Sequence, residues 1–280
     1  MKKTIVAIMY DFDKTLCTRD MQEYTFIPSI GMEANDFWEH TAEVAAEEMM
    51  DSILTYMYCM VEKARQTGNP LTRESLVACG KDIEYRPGVE GWFDRINRYA
   101  KEAGVEVEHY VLSSGLKEII EGTSIAKYFK RIYACEFLYQ DGQAMWPKMA
   151  VNYTNKTQFV YRINKGVLDI NNDKDLNASR PDSEKRVFFS NMIYIGDGLT
   201  DVPCMKLVKQ SGGHSIAVYQ PGQEEKAAPL LAHNRVDWMF EADYSEGSAL
   251  DSTMKLLLQN LAYDNKLIGI HEQQKKEINK

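Results

Sequence analysis

The chain has 280 residues, 44% hydrophobic and 26% charged, enough for one large α/β domain or a core with a smaller partner, and unlike a disordered or fibrous protein. A formal charge of −8, with acidic residues scattered along the chain, supplies no basic stripe for nucleic-acid phosphates. No apolar run reaches the ~20 residues of a membrane span, and five cysteines without a Cys-x-x-Cys pair read as reduced thiols, so a cytoplasmic protein with neither nucleic-acid nor membrane partner is expected.

The opening MKKTIVAIMYDFD reads as a buried strand rather than a signal peptide, because its apolar run lasts only from Ile5 to Tyr10 before two aspartates intervene. From Glu33 to Thr67 neither Gly nor Pro occurs, and Val44, Met49, Ile53, Met57, Met60, Val61 and Ala64 recur at helical spacing, predicting one long helix or two. Gly68-Asn69-Pro70 breaks that pattern, Thr72 caps a further helical stretch, and the region closes near Arg86. Pro87-Gly88 starts a helix with Val89, Trp92, Phe93, Ile96 and Tyr99 on one face, ending at Gly104. A strand from Val105 to Leu112, a helix from Leu116 to Glu121 and a strand from Arg131 to Leu138 follow, with a hairpin suggested over Glu136 to Pro147. Lys156 to Asn164 reads as a short helix, and Gly166 to Lys185, rich in Asn, Asp and Ser, as an exposed loop. A strand at Met192 to Ile195, a helix at Val202 to Val208, a strand at Ser215 to Tyr219 and a last helix at Ala249 to Ala262 complete the alternation, with Glu272 to Lys280 expected to fray.

Three apolar strands run directly into polar residues: Tyr10 into Asp11-Phe12-Asp13-Lys14-Thr15, Leu112 into Ser113-Ser114-Gly115, and Ile195 into Gly196-Asp197-Gly198 followed by Asp201. Ligands of open parallel sheets bind at the carboxyl ends of strands, so the three groups are expected to share one pocket. Taken singly, an Asp after a strand is a common turn or helix cap, and Ser-Ser-Gly a common loop.

Together these groups resemble the ordered motifs of the haloacid dehalogenase (HAD) superfamily: Asp11-x-Asp13-x-Thr15, a later Ser113, a lysine, and Gly196-Asp197-Gly198 with Asp201. The helical segment between the first two motifs and the Pro87-Gly88 helix start are similar to the subgroup with a helical cap, which includes phosphoserine phosphatases. The resemblance implies an α/β fold with a Rossmann-like parallel sheet core formed by residues 1–16 and 87–280, an inserted helical cap over 17–86, and a polar insertion loop at 166–185. It implies Mg²⁺-dependent hydrolysis of a small phosphorylated metabolite, with Asp11 as nucleophile and Asp13 as the acid that protonates the leaving oxygen. The metal would be held by Asp11, Asp197 and the carbonyl of Asp13, with Asp201 a further candidate whose alternative role is a helix cap. Ser113, Ser114 and Gly115 would hold the phosphate, and Lys156 would offset its charge, with Lys165 the alternative lysine.

Such chemistry needs an in-line nucleophile, charge neutralisation and a proton for the leaving alkoxide, which these residue types supply. The second aspartate argues for phosphorus over halide displacement at carbon. A HAD-type phosphomutase would use the same nucleophile, whereas a non-catalytic binding protein would be expected to lack Asp11, Asp13 or Asp197, all of which are present. Asp20 and Glu23 follow the nucleophile loop, and phosphoserine phosphatases hold a substrate ammonium with a glutamate at the position of Asp20. An amine-bearing substrate such as phosphoserine, phosphoethanolamine or phosphocholine is therefore expected, the alternative being that both are solvated loop residues.

Overall fold

The computed structural model describes residues 4–181 and 184–278. Its first strand, β1 (Ile5–Tyr10), is apolar throughout, and Val6 to Tyr10 are fully buried because the strand is covered on both faces. Each such Val, Ile or Met contributes about 1.5–3 kcal/mol of transfer free energy.

The chain then leaves the sheet for a helical insert. It contains the short α1 (Phe26–Ser29), α2 (Ala34–Glu47), α3 (Ser52–Thr67) and α4 (Arg73–Cys79). The long periodic stretch is two helices because Asp51 caps α3, accepting from the amides of Ile53 and Leu54 at 3.0 and 3.1 Å, so the chain must turn just before it. The strands entering and leaving the insert run side by side: Thr18 N donates to Glu84 O at 3.0 Å, Arg86 N to Leu16 O at 2.9 Å, and Cys17 bridges Tyr85 antiparallel.

Helix α5 (Val89–Ala103) buries Val89, Trp92, Phe93, Ile96 and Tyr99 and leads into β2 (Glu106–Leu116). After α6 (Lys117–Glu121) come β3 (Phe129–Gln140) and β4 (Gln143–Met149), a hairpin closed at Asp141-Gly142. Next are α7 (Lys156–Lys165), α8 (Asp173–Asn177), β5 (Met192–Gly196), α9 (Val202–Gln210), β6 (His214–Tyr219), α10 (Glu224–Ala232), β7 (Trp238–Glu241) and α11 (Ala249–Ile278). The seven strands lie in the order β4-β3-β2-β1-β5-β6-β7, parallel except for β4, with helices packed around the sheet. Among the described residues no helix is long and apolar enough to cross a membrane.

Four expectations need correction. Strand β2 does not stop at Leu112: its register with β3 shifts between Leu112 and Leu116, so Ser113-Ser114-Gly115 forms an irregular continuation of the strand. The 166–185 stretch contains α8, capped by Asn172, with Asp182 and Ser183 outside the described residues. The last helix does not end at Ala262 and the polar tail is not frayed: α11 is continuous to Ile278, Asn279 and Lys280 lying outside the described residues. Helix α10 and strand β7 had no counterpart in the sequence reading.

Candidate active site

The strand order sends the chain from β1 to β2 on one side and returns it at β5 on the other. β1 is therefore the topological switch point, where a crevice opens at the carboxyl ends of parallel strands. Asp11 is the first residue beyond β1, and its amide donates to Ile195 O of β5 at 2.9 Å. That bond sets Asp11 beside the Gly196-Asp197-Gly198 turn.

Lys156, the first residue of α7, reaches across with its side chain 1% exposed. Its Nζ donates to Asp11 Oδ1 at 2.8 Å and to Asp201 Oδ1 at 2.9 Å. Tyr194 Oη also donates to Asp201 Oδ1, at 2.7 Å, and Gly198 N to Oδ2 at 3.3 Å. The Asp201 carboxylate makes no cap bond to α9. A side chain at Gly196 would put Cβ 2.4 Å from Asp201 Oδ2, so glycine is required where β5 ends.

Asp11, Asp197 and Asp201 offer carboxylate oxygens that all lie within 4.8 Å of one another. Three carboxylates against one lysine leave an excess of negative charge in a nearly water-free place. Burial, then the charge on Asp201, push the Asp11 carboxyl up to about 7 against the pull of Lys156. Burial and the neighbouring Asp11 and Asp201 push Asp197 to about 8. Burial alone would lower the Lys156 ammonium, but Asp11 and Asp201 raise it, so it stays charged. Thr15 Oγ1 approaches Asp197 Oδ1 at 3.5 Å. An all-oxygen, anion-rich cluster is the donor set that suits a hard divalent cation such as Mg²⁺.

Asp13 stands apart from this trio, turned toward the entrance of the insert. Its Oδ1 accepts from Met21 N at 2.8 Å and weakly from the Cys17 thiol at 3.8 Å. Burial, then Asp20 and Asp11, hold its carboxyl well above the ordinary range. Gly115 is tied to the same place, because a Cβ there would lie 2.6 Å from Asp13 Oδ2 and 2.2 Å from Met21 Cε.

Ser113 is buried, its Oγ accepting from Gly115 N at 2.9 Å. Ser114 O accepts from Tyr56 Oη of α3 at 2.7 Å and from the Cys135 thiol at 3.2 Å, while Ser114 Oγ is buried and has no partner among the described residues. Asp20 is engaged by Lys14 Nζ at 2.6 Å, and Glu23 accepts from Trp38 Nε1 at 2.8 Å. Both acids thus have partners within the chain. Lys165 is not in the cluster: its Nζ donates to Leu176 O and Ala178 O at 2.6 and 2.9 Å, fastening the loop around α8.

Sequence reasoning passed over Tyr194, Tyr56, Trp38 and Met21. Tyr194 lies in the apolar run of β5, where nothing separates a core tyrosine from one that orients a carboxylate. Tyr56 sits on a helix face that reads simply as packing.

A family model for haloacid dehalogenase-like hydrolases matches residues 8–206, a span that takes in Asp11, Asp13, Ser113, Lys156, Asp197 and Asp201. The chain belongs to this family. An uncharacterized protein of Borreliella burgdorferi is 27% identical over 277 residues, 89% of this chain and 95% of that protein. Among solved structures, a HAD family hydrolase from Salmonella enterica serovar Typhi superposes with a TM-score of 0.56 at 15% identity, covering 86% of this chain and 69% of that one. A substrate-bound phosphoserine phosphatase complex gives 0.54 at 16%, covering 87% and 96%. A phospho-aspartyl intermediate analogue of phosphoserine phosphatase gives 0.53 at 16%, covering 85% and 94%. At these identities the likeness is one of fold.

Proposed function

We propose that this HAD-like hydrolase cleaves a small phosphate monoester through an aspartyl-phosphate on Asp11, with Mg²⁺ as cofactor. The observation that carries the reading is the buried Lys156 bridging Asp11 and Asp201 with Asp197 beside them, at the carboxyl ends of the adjacent strands β1 and β5. Asp11, Asp197 and Asp201 would hold the metal together with the carbonyl of Asp13, and the bound ion would neutralise phosphate charge as the two anions approach.

In the first step an Asp11 carboxylate oxygen bonds to phosphorus as the bond to the leaving oxygen breaks, and Asp13 gives its proton to that oxygen. The raised Asp13 carboxyl supports this role, since a group that keeps its proton can deliver it. Asp13 then takes a proton from water as that water attacks phosphorus, and Asp11 leaves as a carboxylate with release of phosphate. Ser113, with the amides of Ser114 and Gly115, would hold the phosphate oxygens while Lys156 offsets the charge on Asp11 and the phosphate. Residues 17–86 would act as the cap over this site.

For the substrate we infer an amine-bearing monoester, because Asp13, Asp20 and Glu23 crowd the entrance with Lys14 as their close cation. A substrate ammonium would compete with Lys14 for Asp20. The test is hydrolysis of an aryl phosphate with Mg²⁺, abolished by chelation and lost by several orders of magnitude in Asp11→Asn. Retention of a tenth of the turnover in that variant would sink the covalent mechanism. For the substrate, kcat/KM for phosphoethanolamine, phosphocholine and phosphoserine is compared with glycerol phosphate, in the wild type and in Asp20→Ala with Glu23→Ala. A preference for amines that survives both substitutions would remove these acids from recognition.

A further inference from the structure

The C-terminal helix α11 has two unlike faces. Leu250, Met254, Leu257, Leu258, Leu261 and Ala262 are buried, and the helix packs there on α5 and β7. Beyond Ala262 the helix leaves the core: among the described side chains from Tyr263 to Ile278, every one but Asn265 is exposed. Asn265 is held by a pair of bonds to the Asn191 amide, 2.8 Å from Asn265 Nδ2 to Asn191 Oδ1 and 3.3 Å in the reverse direction.

Opposite the buried face runs a second stripe: Leu256, Asn260, Tyr263, Leu267, Ile270, Gln274 and Ile278, at spacings of four, three, four, three, four and four. Its apolar members are open to solvent, Leu256, Tyr263 and Leu267 at 65% each, Ile270 at 56% and Ile278 at 83%. The alternation of three and four is the seam of a two-helix coiled coil, sustained here from Leu256 to Gln274, about two and a half heptads and about 27 Å. The stretch beyond Ala262 gains little from tertiary packing, and Gly269 weakens it further. A protruding helix that bares a seam of this kind is stabilised by a second helix laid along it.

We propose that this partner is α11 of a second copy, running parallel and in register. Asn260, Leu267 and Gln274 fall at one seam position, Leu256, Tyr263 and Ile270 at the other. In a parallel in-register pair each residue meets its own counterpart, so Asn260 pairs with Asn260 and Gln274 with Gln274, each amide finding a donor and an acceptor. An antiparallel pair sets the first position against the second, which strands the amides against Leu, Tyr or Ile. The site described above lies outside the seam, so pairing leaves its residues untouched.

The experiment is sedimentation velocity and light scattering of the full chain across the micromolar range, for the wild type and for the double variant Leu267→Glu, Ile270→Glu. A wild-type dimer is expected, and on the order of 100-fold or greater weakening in the variant. Both replaced residues are exposed, so circular dichroism and aryl phosphatase turnover per chain should be unchanged. A separate variant, Leu256→Cys, should form a disulfide-linked dimer on mild oxidation, since only parallel pairing brings that position together with its copy. A monomeric wild type, a dimer indifferent to the double substitution, or a dimer that Leu256→Cys fails to cross-link would overturn the proposal. So would a monomer that sediments with anionic vesicles and loses that binding in the double variant, which would give the stripe to a bilayer surface.

Discussion

Lys156 and Lys165 are nine residues apart on one helix and meet different partners. Lys156 faces two buried carboxylates, whereas Lys165 ties down the carbonyls of Leu176 and Ala178. Lys156→Ala should therefore lower kcat by about 10²–10⁴. Lys165→Ala should keep turnover within about twofold and instead lower the melting temperature by a few degrees. Steady-state kinetics beside thermal melts decide this, and equal losses of turnover would mean that the bridge to Asp11 is only structural. If the proposed site holds Mg²⁺, Asp197→Ala removes one of its three carboxylate donors and should raise the Mg²⁺ concentration for half-activity at least about tenfold. An unchanged metal requirement would leave Asp11 and Asp201 as the relevant carboxylates. At this scale the acids and the lysine were legible because each follows an apolar run or opens a helix. Tyr194 was not, since a hydroxyl in a strand core is chemically silent until its neighbour is known.

Helix α3 touches the core where it matters most, through Tyr56 Oη on the carbonyl of Ser114. The bond ties the insert to the irregular end of β2. Tyr56→Phe deletes one donor, a change of about 1 kcal/mol. It should raise KM about two- to fivefold with a smaller effect on kcat, and speed hydrogen exchange of the α3 amides. Unaltered KM and exchange would show that the contact does not hold the insert in place. Elements with strong periodicity, such as α5, were readable from their apolar positions alone. Helix α10 was hidden by Pro229, which sits inside it and argues against a helix when only local rules are applied. The end of α11 was hidden because Gln273 to Glu277 is polar and exposed, with no buried face to read.

Across the whole molecule, a polar chain that is buried except at its end on Asn97 joins α5 to the sheet. Trp92 Nε1 donates to Tyr10 Oη at 3.0 Å, Tyr10 Oη meets His109 Nδ1 at 3.1 Å, and His109 Nε2 meets Asn97 Oδ1 at 3.2 Å. These partners assign a neutral ring that accepts at Nδ1 and donates at Nε2. Burial pushes the His109 imidazole down to about 3, well under the ordinary 6.5. A folded value below the unfolded one gives stability that is complete above 6.5 and lost as pH falls from there toward 3. Between about pH 7.5 and pH 5 the loss should be about 2 kcal/mol, read from urea melts. Glu108 adds in the same direction at lower pH: burial would raise its carboxyl, but Arg186 and Lys130 hold it at about 2. Melts that superimpose from pH 7.5 to pH 5 would mean that His109 ionises freely in the fold. The sheet order was legible only in part, because strand neighbours are fixed by crossovers that no local pattern encodes.

The place of β1 at the centre of the sheet has a consequence in time. Its neighbours are β2 and β5, so the strand that leads to Asp11 emerges from the ribosome before either of them and is enclosed only when Met192–Gly196 has been made. At ~5–20 residues per second, the 186 residues from Tyr10 to Gly196 take roughly 10–40 s to synthesise. During that interval an apolar six-residue strand lacks one edge, and the nascent chain is most exposed to chaperones and to aggregation. Ribosome-bound chains stopped before Met192 should be protease-sensitive within β1, and those carried well past Gly196 resistant.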